Sequence, residues 1–152
     1  MDYHRFILMW TIRMGMKTVT EIMTHDVACA DMDNTIGEAM DICNENQIRH
    51  LPVLDEQKRL VGLVTDRDLR FFISPRLGTL SENSADRESL QRRIHLVMIR
   101  KVHATYANAS IASAARMMLD NRIGCLPVVD EEEHVVGIIT TSDFLRDIVA
   151  TE

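Results

Sequence analysis

Two short stretches carry the residues best suited to chemistry: Gly62-Leu63-Val64-Thr65-Asp66-Arg67-Asp68 and Gly137-Ile138-Ile139-Thr140-Thr141-Ser142-Asp143. Both read Gly, two apolar residues, Thr, two further residues, then Asp, where a strand-like run gives way to a helical pattern. A helix amino terminus offers unpaired N–H groups and the positive end of its dipole, which favour a phosphate. A carboxylate three residues after the Thr can accept charge-assisted hydrogen bonds from both hydroxyls of a ribose. The same Thr-x-x-Asp spacing is also a capping box, which needs no ligand. Two copies in one register, each with a Gly on the preceding strand, favour the ligand.

That register extends far beyond the motif. Shifted by about 75 residues, Ile48-Arg49-His50-Leu51-Pro52-Val53 falls on Ile123-Gly124-Cys125-Leu126-Pro127-Val128. Met23, Val27, Ile36, Ala39 and Asp55 likewise fall on Met98, Val102, Ile111, Ala114 and Asp130. The match runs without a gap from about residue 22 to about residue 73, so the chain is a tandem duplication. The expected division is an arm or extension at 1–18, one unit at 19–73, a connector at 74–93 and a second unit at 94–149. Pro75 and Gly78 interrupt helix in the connector.

Each unit predicts the same elements. Thr35-x-x-Glu38 is a capping box that starts a helix. Ile36, Ala39, Met40 and Cys43 follow the spacing of a one-faced helix, and Ile111, Ala114, Ala115 and Met118 repeat it. Leu51–Leu54 and Leu60–Val64, separated by a charged turn, read as the strands of a hairpin. A second helix follows Thr65, and another follows Thr140. With an extended piece near Val27 the unit is β-α-β-β-α. Neither unit has enough core alone, so the two are expected to pack face to face.

Composition removes several function classes. In a chain of 152 residues, a net charge of -6 argues against a general nucleic-acid binder, which needs a basic face to displace counterions. Its 5% aromatic content leaves little surface for stacking on bases. No apolar run approaches the roughly 20 residues that span a bilayer, so neither nucleic acid nor membrane is an expected partner. Cys29, Cys43 and Cys125 form no CxxC pair and read as small hydrophobes in a reducing compartment, hence a cytoplasmic protein. The six histidines show no metal-ligand spacing. There is no nucleophile-and-base pair and no GxxxxGK[ST] loop, so no enzymatic activity is expected. Phe6-Ile7-Leu8-Met9-Trp10, within the arm, lacks the long apolar region and cleavage site of a signal peptide.

The stretch Ile48 to Asp55, followed by Gly62 to Leu69, resembles the CBS domain family, named after cystathionine β-synthase. The second unit matches through Leu126-Pro127-Val128-Val129-Asp130 and Gly137 to Asp143. The likeness covers roughly residues 19–149 and is that of a stand-alone CBS pair, or Bateman module. Asp66-Arg67-Asp68-Leu69-Arg70 and Ser74-Pro75 are similar to acetoin-utilisation-type CBS proteins.

This resemblance implies an α/β (α+β) fold, two tandem β-α-β-β-α units packed face to face with pseudo-two-fold symmetry. It also implies a regulatory module that binds AMP, ADP or ATP in two clefts between the units, with S-adenosylmethionine or NAD as other candidates and no required cofactor. One expected site combines Thr140 and Asp143 with Arg49, His50, Pro52 and the backbone near Ala28. The other combines Thr65 and Asp68 with Gly124, Cys125, Pro127 and the backbone from His103 to Thr105. Arg49 and His50 could meet a di- or triphosphate, so the Thr140/Asp143 site is expected to be the tighter one for polyphosphates. The helices after Thr65 and Thr140 carry Leu69, Phe71, Phe72, Phe144, Leu145 and Ile148, a surplus of apolar surface that predicts a homodimer. A regulated protein partner is implied without being named. The rival reading is a ligand-free interaction module in which both Thr-x-x-Asp pairs are caps and nothing more.

Overall fold

The computed structural model describes residues 17–150. They divide into two compact units, one made of residues 28–102 and the other of residues 17–27 with 103–150. Of the arm expected at 1–18, only Lys17 and Thr18 fall inside the described residues.

In the unit 28–102, Thr35 caps helix α1 (Ile36–Glu45). Its side chain accepts from the Glu38 N–H at 3.2 Å, and the Glu38 carboxylate accepts from the Thr35 N–H at 2.7 Å. Such a cap contributes about 1 kcal/mol. The expected stripe is inward-facing, with Ile36, Ala39 and Cys43 buried and Met40 partly so. Strand β1 (Ala30–Asp31) runs parallel to β2 (His50–Leu54), which is antiparallel to β3 (Leu60–Thr65). The register pairs His50 with Thr65, Leu51 with Val64 and Val53 with Gly62, and it slips by one residue between Val53 and Leu54. Helix α2 (Asp66–Phe71) follows directly from β3. Leu51, Val53, Val64, Leu69 and Ile94 are fully buried in its core. Burying each of these side chains stabilises by roughly 1.5–3 kcal/mol.

The connector carries a short helix beyond Pro75 and Gly78. Asn83 and Asp86 form a capping box for a short helix, α3 (Ser84–Glu88). The Ser74 hydroxyl donates to Asp86 at 2.5 Å, and the Ser89 hydroxyl accepts from the Ser74 N–H at 3.0 Å.

The second unit repeats the first. Strand β4 (Thr105–Tyr106) is parallel to β5 (Cys125–Val129), and β5 is antiparallel to β6 (Val135–Thr140). Helix α4 (Ile111–Asn121) lies between β4 and β5 in the chain, and α5 (Thr141–Val149) follows β6. Ile111, Ala114 and Met118 form the buried stripe of α4.

The compact units do not coincide with the halves of the sequence repeat. Each repeat begins with a segment that packs on the other unit. Thr24 exchanges two backbone hydrogen bonds of 2.9 Å with Ile138, whereas its repeat equivalent Ile99 exchanges bonds of 2.9 and 3.0 Å with Leu63. Val19 and Thr20 donate to the carbonyls of Ala109 and Ala107, and Ile94 and His95 to those of Asn34 and Met32. Two copies of one motif offer two equivalent edges, so identical local chemistry serves either pairing. The first strand also lies later than the extended piece expected near Val27. Thr24 is already committed to Ile138, so only at Ala30 does the chain come into register with Val53.

This exchange explains the glycine of the repeated motif without any ligand. A Cβ at Gly62 would overlap the sulfur of Met98, and one at Gly137 would lie 2.5 Å from the sulfur of Met23 and 3.1 Å from the Thr24 carbonyl oxygen. The strand glycine is the seat for a methionine of the exchanged segment. Its presence in both copies therefore does not argue for a nucleotide.

Candidate functional site

The hairpin register carries the candidate residues to one end of each sheet. In the unit 28–102, pairing of His50 with Thr65 brings the start of β2 beside the β3–α2 junction, and the Asp66 N–H donates to the Arg49 carbonyl at 3.1 Å. Asp68 then folds back on Thr65, its Oδ2 accepting from the Thr65 N–H at 3.3 Å and from the hydroxyl at 2.7 Å. Pro52 is buried one pleat along β2, and Ala28 precedes β1, the parallel neighbour of β2.

The unit with 103–150 builds the same arrangement from Thr105, Gly124, Cys125, Pro127, Thr140 and Asp143. Cys125 pairs with Thr140, and the Thr141 N–H donates to the Gly124 carbonyl at 3.1 Å. Thr105 is buried on β4, opposite Val128 and so beside Pro127. Asp143 Oδ2 accepts from the Thr140 N–H at 2.7 Å and from its hydroxyl at 2.8 Å.

These contacts group the candidates by unit. Arg49, His50, Pro52 and Ala28 share a sheet with Thr65 and Asp68. Gly124, Cys125, Pro127 and Thr105 share one with Thr140 and Asp143. The sites implied by the family resemblance draw each set from both units.

Burial also acts on the ionisable groups beside these caps. Burial pushes the His50 imidazole below its ordinary value of 6.5; Asp66 pulls the other way and Arg49 adds to the depression. Burial thus makes His50 harder to protonate, and the permanent positive charge at the start of β2 is that of Arg49. The thiols are inert: burial, with the Asp143 carboxylate, pushes Cys125 up to about 12, and burial with Asp31 pushes Cys29 up to about 11. A thiol so raised is not a nucleophile near pH 7.

The His50 shift predicts an acid-sensitive term in stability. The folded protein resists protonation that the unfolded chain accepts near pH 6.5, so this term is absent above that value. Stability is lost as pH falls from about 6.5 towards the lower folded value. His50→Gln is expected to flatten the dependence of the thermal midpoint on pH between about 7.5 and about 5.5. An unchanged slope in His50→Gln would show that another group is responsible.

One neighbour escaped the sequence reading. Arg146 donates from Nη1 to Asp143 Oδ1 at 2.7 Å, an i,i+3 pair along α5. That spacing is visible in the sequence, since residues three apart on a helix are neighbours.

The family model of the CBS domain matches this chain twice, over residues 19–75 and 93–150. The chain belongs to the CBS domain family. The two matched stretches follow the sequence repeat, with the exchanged segments at their starts. Among relatives, a CBS domain-containing protein of Dictyostelium discoideum is 34% identical over 131 residues, covering 84% of this chain and 88% of its own length. The inosine-5'-monophosphate dehydrogenase of Methanocaldococcus jannaschii is 30% identical over 132 residues, 87% of this chain. This CBS pair spans only 24% of the dehydrogenase, so the likeness is confined to the CBS region.

Solved structures agree on the fold. A protein described as an acetoin utilization protein of Vibrio cholerae is 29% identical with a TM-score of 0.74, covering 90% of this chain and 93% of that one. A CBS domain pair solved in complex with 5'-methylthioadenosine and S-adenosyl-L-methionine is 26% identical with a TM-score of 0.73, covering 90% and 98%. The mixed α/β architecture, with a three-stranded sheet in each unit, is that of a CBS domain pair. Among the described residues, no helix of this CBS pair is long and apolar enough to cross a membrane.

Proposed function

We propose that this CBS pair is a regulatory module that binds an adenosine-containing nucleotide, AMP, ADP or ATP, with Asp68 and Asp143 holding ribose hydroxyls. The observation that carries the reading is the duplicated carboxylate. Each is held by a Thr at a strand end beside a buried Pro-containing strand, on a fold whose relative is solved with methylthioadenosine and S-adenosylmethionine. Such a carboxylate is already oriented before a ligand arrives, which lowers the ordering entropy of binding. Arg49, exposed beside the Thr65–Asp68 cap, suits a phosphate of the same nucleotide. Thr65, Thr140, His50, Pro52, Pro127, Gly124, Cys125, Thr105 and Ala28 line the two half-sites in this reading.

Signalling then needs differential affinity, because a ligand shifts an equilibrium only towards the state it binds better. Exposed Phe71 on α2 and Leu145, Ile148 and Val149 on α5 supply apolar surface for a homodimer or a regulated cytoplasmic partner. Regulation of an attached or associated enzyme fits the CBS regions of the longer relatives.

The test is a thermal-shift panel of AMP, ADP, ATP, NAD and S-adenosylmethionine on protein freed of copurified nucleotide. A ligand at about 100 times its Kd stabilises by about 2.7 kcal/mol. For a chain of this length the midpoint rises by roughly 5–10 °C. The rise is expected for at least one adenosine ligand and is lost in the double variant Asp68→Ala/Asp143→Ala.

One observation favours a second reading. The Thr65–Asp68 cap is complete without any ligand, the Asp68 N–H donating to the Thr65 hydroxyl at 3.1 Å and the Thr65 N–H to the Asp68 carboxylate, as in a purely structural cap. A flat panel would establish a ligand-free interaction module acting through its exposed helix faces.

A further inference from the structure

The two carboxylates are copies in sequence but not in availability. A carboxylate oxygen offers two acceptor positions. In Asp68, Oδ2 is filled by the Thr65 N–H and hydroxyl, and among the described residues no hydrogen bond reaches Oδ1. In Asp143, Oδ2 is filled in the same way by Thr140, and Oδ1 also accepts from Arg146. Asp68 therefore keeps two open positions and Asp143 keeps one. The vicinal hydroxyls of a ribose donate two hydrogen bonds.

The cause lies one helical turn onward. Three residues after Asp143 stands Arg146; three residues after Asp68 stands Phe71, whose ring donates nothing. The Asp143 side chain is 5% exposed and the Arg146 side chain 74% exposed. The guanidinium thus covers a buried acceptor from the solvent side and can leave it without disturbing the core. An ion pair with one partner so exposed is weak, which suits a competitor rather than a brace.

We propose that Arg146 is a specificity-determining residue. It competes with ribose for Asp143, so a nucleoside fills the Asp68 half-site first and reaches Asp143 only by displacing the guanidinium. This rests on the reading that both aspartates hold ribose. It reverses the ranking expected from the charges of Arg49 and His50 in the sequence, and it makes one module respond over two concentration ranges of one ligand.

Isothermal titration of the full chain with adenosine and with AMP tests it. Two affinities are expected, the tighter removed by Asp68→Ala and the weaker by Asp143→Ala. Arg146→Ala is expected to tighten the weaker site about two- to fivefold and to leave the tighter one unchanged. Phe71→Arg, at an exposed position, is expected to weaken the tighter site by a similar factor. If Arg146→Ala leaves the weaker site unchanged, or weakens it for AMP, competition is overturned while the ribose reading stands. If Asp68→Ala and Asp143→Ala both leave binding intact, the ribose reading fails and the competition fails with it.

Discussion

A polypeptide spanning residues 28–102 is expected to fold cooperatively on its own, and one spanning residues 19–73 is not. The first contains every buried side chain of its core, including Ile94 and Met98, which arrive from beyond the connector. It also keeps the paired hydrogen bonds between Leu63 and Ile99. The second matches a repeat of the sequence but lacks both side chains, and it carries Val19 and Met23, which belong to the other core. Removing a buried Ile or Met side chain costs about 2–5 kcal/mol. Losing two approaches the whole stability of a small domain, about 5–15 kcal/mol. Circular dichroism through a thermal scan of both fragments decides the matter. A cooperative transition in 19–73 with none in 28–102 would mean that each repeat closes on its own leading segment.

Gly137→Ala tests the same exchange from the inside. The added methyl would meet the Met23 sulfur and also the Thr24 carbonyl, which is held in place by the Ile138 N–H. Overpacking of this kind costs typically about 1–3 kcal/mol. In a chain of this length the thermal midpoint should fall by about 3–10 °C. Gly62→Ala should cost less, because its close neighbours are all atoms of the flexible Met98 side chain. Adding Met23→Ala to Gly137→Ala should recover part of the loss, a non-additivity expected only for residues in contact. Gly37→Ala provides the opposite sign. It sits in α1, its nearest new neighbour would be 3.5 Å away, and it should stabilise by about 0.4–1 kcal/mol. Additive losses at Met23 and Gly137 would remove the methionine seat as the reason for the glycine.

The duplication, the β-α-β-β-α order and the helix caps were all legible along the chain. Each depends on interactions between residues close in sequence: Thr35 with Glu38, the stripe of Ile36, Ala39 and Cys43, and the hairpin that joins Leu51 to Val64. So did the positions of Thr65, Asp68, Thr140 and Asp143 at strand ends, and the spacing that lets Arg146 reach Asp143. Partnership between distant segments was decided by tertiary structure alone. A tandem repeat presents two chemically equivalent edges, Leu63 and Ile138, to two equivalent segments at Thr24 and Ile99, and no local preference distinguishes the two ways of matching them. The crossed match is what places Met23 against Gly137 and Met98 against Gly62. The hairpin register, in turn, sets His50 beside Thr65. Burial there makes the His50 imidazole harder to protonate, because an imidazolium withdrawn from water loses more solvation than Asp66 returns.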